Sequence, residues 1–439
     1  MDQATADLLT RTGPGTAMGD LMRRYWVPIL AANEIAEPDG PQVRVQILGE
    51  KLLAFRDTEG QAGLIDEFCA HRGVSLFFGR NEECGIRCAY HGLKYDRTGA
   101  CVDVPSARDS PQVADRMRIK AYPCIERGGL VWAYMGPPDK QPAPPALEWC
   151  TLPQSHVYVS KRLQQSNYLQ AIEGGIDTAH VSYVHKYSVD NDPMHKGSRA
   201  VDFIKADGNV VFDIEKNPFG LTLYGRRNGE TANGELSSYY WRITQYVFPW
   251  FTLIPPFGEH SLGGHVWVPI DDENCWAWSI NYRPDQPLSN QERSDMGAGH
   301  GIHVLYENRN EPGVQPISWR PRANMDNDYL IDRAAQKEKR AYSGVHGISE
   351  QDASLQESMG PIQDRTRERL LPTDKGIVMA RRMLEEAALG LAQGIEPPAL
   401  DAATQQVRAA GVLLPTTQDP KVWGKEKIEH VAGKPVYTL

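Results

Sequence analysis

Apolar and polar positions alternate between Gln42 and Cys69 in three short runs, QVRVQIL, KLLAFRD and GLIDEFC, with turn residues between them. Alternation places every second side chain on one face, so these runs predict short strands of a small β domain. GGLVWAYMG, from Gly128 to Gly136, predicts the strand that closes it. Residues 1–25 follow another rhythm. Leu8, Leu9, Met18, Leu21 and Met22, interrupted by TGPG, predict a helical lead-in. The stretch GPPDKQPAPPA has five prolines in eleven residues and reads as an extended, semi-rigid linker. The expected boundaries are therefore 1–25, 26–140 and 141–439. Beyond the linker, strand-like runs recur at HVYVSKRLQ, NVVFDIE, LTLYGRR, SSYYWRITQYVF, FTLIPP and GHVWVPI, and a helical segment lies between Asn167 and Val184. The last hundred or so residues predict mainly helix. In TDKGIVMARRMLEEAALGLAQG, Thr373 or Asp374 is the cap, and Ile377, Leu384, Ala388 and Leu391 lie near one face. The fold class is α+β, a small all-β domain followed by a larger α+β domain.

A chain of 439 residues is long for one core, which agrees with two domains. A hydrophobic share of 41% and a charged share of 23% are those of a globular protein. The net charge of −9, without a dense Lys/Arg run, argues against a nucleic-acid partner. No apolar run approaches the roughly 18 residues of a membrane span. The start, MDQATADLLTRTGPG, lacks a basic-then-apolar signal pattern, so the expected location is the cytoplasm. The seven cysteines are odd in number and sit in a large chain, which favours metal binding over a disulfide framework.

Chemistry enters at CAHRGVSLFFGRNEECGIRCAYHGLKYD. Cys69 and His71 are followed, after sixteen residues, by Cys88 and His91. Each half offers one thiolate and one imidazole. That choice suits a [2Fe–2S] centre with two Cys on one iron and two His on the other, the Rieske pattern. Zinc sites usually pair Cys with Cys and His with His, so a Cys₂His₂ zinc site is the weaker alternative. Cys84, four residues before Cys88, reads as a small loop or buried residue rather than a ligand.

A cluster carrier would end near residue 130, which leaves about 300 residues to explain. In NYLQAIEGGIDTAHVSYVH, Glu173, Asp177 and His180 share a helix face by spacing. His185 lies five further on, about 140° round a regular helix, so it joins His180 on one ion only if the helix ends or distorts between them. Gly174 and Gly175, at a cost of about 1 kcal/mol each in a helix interior, hint at a backbone held for a purpose. Two His and a carboxylate on one side of an ion form the facial triad of non-haem Fe(II) oxygenases. A one-electron carrier also implies an acceptor. The downstream stretch GISEQDASLQESMGPIQDRTRE offers Asp352, Glu357 and Asp364 as the third ligand.

These motifs, with GPGTAMGDLMRRYWVP and NDYLIDR, run over nearly the whole chain. It resembles the α (oxygenase) subunit of Rieske non-haem iron aromatic-ring oxygenases of the phthalate 4,5-dioxygenase type. The resemblance implies a catalytic domain of antiparallel sheet and helices of the helix-grip type. It implies Cys69, His71, Cys88 and His91 on the cluster, and His180, His185 and Asp352 on the mononuclear iron, with Asp364 the lesser option. It implies that Asp177 hydrogen-bonds His180 and reaches His91 of a neighbouring subunit in a head-to-tail trimer, and that Glu173 supports the ligands from just outside. Respiratory Rieske proteins carry a disulfide where this chain has Val74 and Tyr90, and a serine where it has Leu93, so the resemblance is to lower-potential centres.

The implied activity is cis-dihydroxylation of an aromatic carboxylate such as phthalate, chlorobenzoate or phenoxybenzoate with O₂. Electrons come from a separate NADH-dependent flavin and [2Fe–2S] reductase, since the chain lacks a nucleotide-binding GxGxxG. A trimer or hexamer is implied. Alternation in SSYYWRITQYVF puts Tyr240, Arg242, Thr244, Tyr246 and Phe248 on one face, which makes Arg242 the candidate for the substrate carboxylate. Arg199, Arg226 and Arg227 are weaker candidates, and no second cation for a dicarboxylate stands out. The rivals are a Rieske monooxygenase or O-demethylase, an electron carrier without oxygenase activity, and a zinc-bound structural protein.

Overall fold

The computed structural model describes all residues except 108–111, 190–191, 259, 308–317 and 430–439. Two short helices, Gln3–Thr10 and Ala17–Met22, open the chain, and each is started by a side-chain cap. Asp2 accepts from the Thr5 N–H and Thr16 from that of Gly19. Their buried residues Leu9, Met18, Leu21 and Met22 join the large core, and both helices pack on the long helix Lys375–Ala392. The lead-in is tied to the later part of the chain, because the Tyr168 hydroxyl donates to the Leu9 carbonyl at 2.7 Å.

The next residues form three small antiparallel sheets. Trp26–Ala31, Leu130–Tyr134 and Cys124–Arg127 make the first, with Trp26 opposite Tyr134. Val43–Ile47, Glu50–Arg56, Ala62–Asp66 and Ala121–Tyr122 make the second. Arg80–Glu82, Gly85–Arg87, Lys94–Asp96 and Cys101–Asp103 make the third. The proline-rich stretch is pinned rather than free, because the Pro142 and Pro145 carbonyls accept from Trp26 Nε1 and Arg127 Nη1 at 3.1 and 2.7 Å.

The larger part is an eight-stranded antiparallel sheet. Its order is Val157–Gln164, Cys275–Tyr282, Leu262–Pro269, Phe251–Ile254, Ser238–Val247, Gly220–Asn228 and Val211–Asn217. Two of its strands escaped the sequence reading. Cys275–Tyr282 is buried along almost its whole length and so lacks a clean alternation. Ala410–Pro415 adds one strand to a C-terminal part whose main elements are the helices Ile348–Glu357, Lys375–Ala392 and Pro420–Lys427. Of the strand Ser238–Val247, Phe251–Ile254 covers only Gln245–Val247, which leaves the edge of Ser238–Ile243 open, and Ala410–Pro415 satisfies those backbone groups.

Two cores result. A large one runs from the first helices through Trp26–Leu30 and Leu130–Met135 into the eight-stranded sheet. A small one, containing Leu53, Phe55, Leu76, Ile86, Leu93 and Tyr95, lies beneath the Cys/His loops. The helix Tyr168–Ile176 packs on Leu262–Pro269 and on the helix Ile348–Glu357. Its two glycines explain the approach. A Cβ on Gly174 would stand 2.2 Å from Gln356 Nε2, and one on Gly175 would stand 2.1 Å from the Trp267 ring. Among the described residues, no helix is long and apolar enough to cross a membrane.

Candidate metal centres and a cavity beside one of them

The two Cys/His loops are built alike. In the first, the Gly73 N–H donates to the Cys69 carbonyl and the Cys69 N–H to the Val74 carbonyl, both at 2.9 Å. In the second, the Gly92 N–H donates to the Cys88 carbonyl at 3.0 Å and the Cys88 N–H to the Leu93 carbonyl at 2.8 Å. Gly73 and Gly92 both take positive φ, +71° and +78°, which closes each loop at little strain. The thiols of Cys69 and Cys88 are buried, His71 is exposed and His91 half-buried. The imidazoles face each other with Nδ1 atoms 3.1 Å apart. Two thiols inside and two imidazole nitrogens outside fit a two-iron cluster with unlike ligands on its two irons. Burial pushes the Cys69 thiol up, so a bound metal ion has to hold it as thiolate. Cys84 stands apart, at φ +60° in the turn between Arg80–Glu82 and Gly85–Arg87.

Tyr95 was not singled out by the sequence reading. Its hydroxyl lies 3.2 Å from Cys69 Sγ and accepts the Ala70 N–H at 3.2 Å. The signal was an aromatic residue at an alternating position of the strand that leaves the second loop, and a buried tyrosine hydroxyl usually finds a partner.

The second group forms where a helix stops. The Tyr168–Ile176 helix ends at Asp177, which turns to extended backbone (φ −72°, ψ 123°), and a single 3₁₀ turn follows over His180–Ser182. The Asp177 carboxylate accepts the Ala179 and His180 N–H groups at 2.7 and 3.2 Å and so holds the break. His180 and His185 then turn Nε2 toward one point, with Asp352 Oδ1 at 3.5 and 3.2 Å from them. One donor atom from each of the three residues lies within 4.8 Å of the others. Both outer nitrogens are occupied. His180 Nδ1 lies 3.2 Å from Asp177 Oδ2, and His185 Nδ1 lies 2.7 Å from Gln351 Oε1. Gln351 donates through Nε2 to the Val345 carbonyl at 2.8 Å and to Ser188, so its oxygen is left to accept from His185. Burial raises the Asp352 carboxyl, but His185 and His180 outweigh it and hold it at about 2. Burial also opposes ionisation of Asp177, and its bonds with His180 and Ala179 hold it below the usual range. An anionic Asp352 and two imidazoles with free Nε2 atoms fit a divalent iron.

The competing carboxylates lie elsewhere. Asp364 caps a surface turn and accepts from Thr366. Glu357 accepts the Gln165 N–H at 2.9 Å. The expectation that Glu173 supports the iron ligands needs correcting. Its carboxylate takes Arg365 Nη1 at 2.9 Å and Arg381 Nε at 2.7 Å, in a buried network with Glu368. It hydrogen-bonds none of the three ligands. Gln351 does what Glu173 was expected to do. A search confined to charged and imidazole side chains passes over it, although it directly precedes Asp352.

A cavity opens beside this group, lined by His180, His185 and Asp352 on one side and by Val181, Ile254, Phe257, Trp267, Ile302 and Ile348 around it. Arg242 lies in its wall, 2% exposed. Its Nε donates to Thr178 Oγ1 at 3.1 Å, its guanidinium lies 4.8 Å from the Phe257 ring centre, and its buried Nη1 has no partner among the described residues. The other candidates have different work. Arg199 pairs with Glu230, Arg226 stacks on Tyr239, and Arg227 donates to the Thr178 and Asp207 carbonyls. Arg162, absent from the sequence candidates, also lines the cavity.

The Rieske [2Fe-2S] domain model matches residues 25–123, and the model described as LigXa C-terminal domain like matches residues 133–432. The chain is 37% identical to the 3-chlorobenzoate-3,4-dioxygenase oxygenase subunit of Comamonas testosteroni, over 96% of this chain and 97% of that one. It is 36% identical to the phthalate 4,5-dioxygenase oxygenase subunit of Pseudomonas putida, over 88% and 86%. It is 41% identical to a tert-butanol monooxygenase / tert-amyl alcohol desaturase oxygenase subunit of Aquincola tertiaricarbonis, over 88% and 76%. In fold it is similar to dicamba monooxygenase, with a TM-score of 0.58 at 17% identity over 84% of this chain and 98% of that one.

Proposed function

The chain belongs to the Rieske non-haem iron oxygenases, as an oxygenase subunit, and on that premise we propose that it cis-dihydroxylates an aromatic carboxylate. The observation that carries the substrate class is Arg242, a buried guanidinium with an unmatched N–H in the wall of the cavity that His180, His185 and Asp352 share. A buried cation without a counter-ion is costly, and a substrate carboxylate supplies one.

Residues 26–140 are the electron-carrying domain and 141–439 the catalytic one. Cys69, His71, Cys88 and His91 hold the cluster, and His180, His185 and Asp352 hold the mononuclear iron. When bound, these groups supply single-electron transfer and O₂ activation. The chain's residues do the rest. Asp177 and Gln351 fix the two imidazoles by their Nδ1 atoms, so that both Nε2 atoms stay aimed at one point. Arg242 orients the substrate by its acid group, while Phe257, Trp267 and Ile254 surround the ring and exclude water. Asp177 is partly exposed, as is the imidazole of His91. This supports a head-to-tail trimer, or a hexamer of two such trimers, in which Asp177 meets the neighbour's His91. An NADH-dependent flavin and [2Fe–2S] reductase supplies the electrons, and the cytoplasm is the setting.

A second reading, monooxygenation, rests on the 41% identical relative named as a tert-butanol monooxygenase. Such an alcohol is neutral and gives Arg242 no counter-ion. The test is turnover of a panel of benzoates, phthalates and tertiary alcohols under ¹⁸O₂ with a reductase. Two labelled oxygens in a cis-diol of an aromatic acid are expected. One labelled oxygen, or turnover of the alcohols alone, favours the second reading.

A further inference from the structure

Among the described residues eight arginines are buried. Five are paired with carboxylates: Arg23 with Glu50, Arg24 with Glu396, Arg365 and Arg381 with Glu173, and Arg408 with Glu148. Arg227 has no carboxylate but donates to two backbone carbonyls and to Ser182 Oγ. Arg162 and Arg242 differ from all of these. Arg162 donates from Nη1 to Gln164 Oε1 at 2.8 Å, Arg242 donates to Thr178 Oγ1, and neither forms an ion pair with a described residue. Each also buries one nitrogen without a described partner, Nε in Arg162 and Nη1 in Arg242, as Arg24, Arg227 and Arg365 do too, so the missing carboxylate is what sets these two apart from the five paired arginines. Both line the same cavity.

The alternation of the edge strand explains how Arg162 gets there. Lys161 turns away to Glu34 at 2.8 Å, while Arg162 and Gln164 turn in, and Gln164 reaches Gln356 of the helix Ile348–Glu357 at 2.7 Å. Arg162 stands opposite Ala277, and Arg242 opposite Gly225 and Gly411. Three strands lie between the two arginines, so they approach the cavity from strands four places apart. The cavity's two carboxylates pair with neither arginine: Asp352 faces His180 and His185, and Asp177 faces His180. A monocarboxylate bound at Arg242 leaves Arg162 without a counter-ion.

We infer that Arg162 is a second acid-binding residue, and that the substrate carries a second acidic group on the side of the ring opposite the one held by Arg242. This rests on the reading of the substrate as an aromatic carboxylate and narrows it. Arg162 acts by binding, through a charge-assisted hydrogen bond to the far acid group.

The test is calorimetric binding of benzoate and terephthalate to the anaerobic iron-loaded enzyme. Terephthalate is expected to bind at least about tenfold more tightly than benzoate. In Arg162→Gln the ratio of the two affinities falls to within about threefold of one, whereas Arg242→Gln weakens both acids. Arg162→Lys keeps the charge and the stem, folds if the glutamine variant does not, and retains part of the ratio. Equal affinities in the parent, or a ratio that survives Arg162→Gln, overturns the inference. Benzoate binding without a terephthalate preference sinks this inference alone, whereas failure of either acid to bind the parent sinks the carboxylate reading beneath it.

Discussion

The two metal centres are assembled on opposite plans. The cluster loops are local, with the four proposed ligands within 23 residues and both loops closed by backbone hydrogen bonds and a glycine. The mononuclear site is dispersed, with Asp352 coming 167 residues after His185 and with side chains, Asp177 and Gln351, holding the imidazoles. The contrast suits the work each does. A centre that exchanges electrons has to bring ligands to the surface, and His71 is exposed there. A centre that turns over substrate needs open positions inside a closed cavity, and only residues from several elements can leave one side free. Substitutions in the dispersed site should therefore disturb chemistry and leave the cluster standing, and the reverse should hold for the loops.

The largest effect is expected at Asp177, which holds His180 and, in the proposed trimer, meets the neighbour's cluster as well. Asp177→Asn keeps the size but loses the charge, and its amide accepts through one oxygen only. Turnover is expected to fall on the order of a hundredfold or more. Iron content, substrate affinity and oligomer size should stay as in the parent. A pre-reduced cluster mixed with O₂ and substrate should reoxidise far more slowly. Parent-like single-turnover rates would reduce Asp177 to a helix stop.

Gln351→Ala sharpens the contrast at one ligand. His185 loses the acceptor for its Nδ1–H, and affinity for iron should drop about 10–100-fold. Titration of the metal-depleted protein with Fe(II) measures it, while the visible absorbance of the cluster should not change. An unchanged iron affinity would mean that packing alone orients His185.

A buried imidazole beside the eight-stranded sheet sets a pH response of the folded chain. Burial pushes His303 down to about 3, where it is held between Ser160 Oγ and Asn281 Oδ1. Below about pH 6.5 the unfolded chain takes up a proton there that the folded chain refuses. The folded state therefore loses up to about 1.4 kcal/mol per pH unit from this group as pH falls toward 3. His303→Gln removes that contribution, so the melting temperature of the variant should fall less steeply than the parent's between pH 6 and 4. Parallel curves would show that the buried imidazole does not govern acid stability.

The smallest effect belongs to the loops. Tyr95→Phe deletes the hydroxyl beside Cys69 Sγ. One hydrogen bond of about 1 kcal/mol corresponds to roughly 40 mV for a single electron, so the cluster potential should fall by about that much in redox titration. Steady-state turnover with excess reductase should move little. A potential within a few millivolts of the parent's would mean that Tyr95 makes no difference to the cluster.

The same contrast decided what could be read from the sequence. The loops were legible because cluster chemistry fixes ligand type and spacing over a short stretch, whereas 3.6-residue geometry asked for a helix break between His180 and His185 and the helix ends earlier, at Asp177. Asp352 could be chosen over Glu357 and Asp364 only by resemblance, because no local periodicity links it to His180. Gln351 and Tyr95 act through one hydrogen bond each, and their residue types carry no metal signal. Glu173 misled because its spacing puts it on the face of Asp177 and His180, while its partners, Arg365 and Arg381, come from the C-terminal part. Arg162 was hidden for a related reason. On an edge strand with alternating Lys161 and Arg162, only the three-dimensional fold distinguishes the cation that meets Glu34 from the one that faces the cavity.

The most direct test of the two-centre account is an iron count beside the electron paramagnetic resonance of the dithionite-reduced protein, in the parent and in Asp352→Ala. The account predicts about three irons per chain in the parent and about two in the variant. The reduced-cluster signal should be equal in both, and oxygenation absent from the variant. Three irons retained in Asp352→Ala, or zinc in place of iron in the parent, would contradict it.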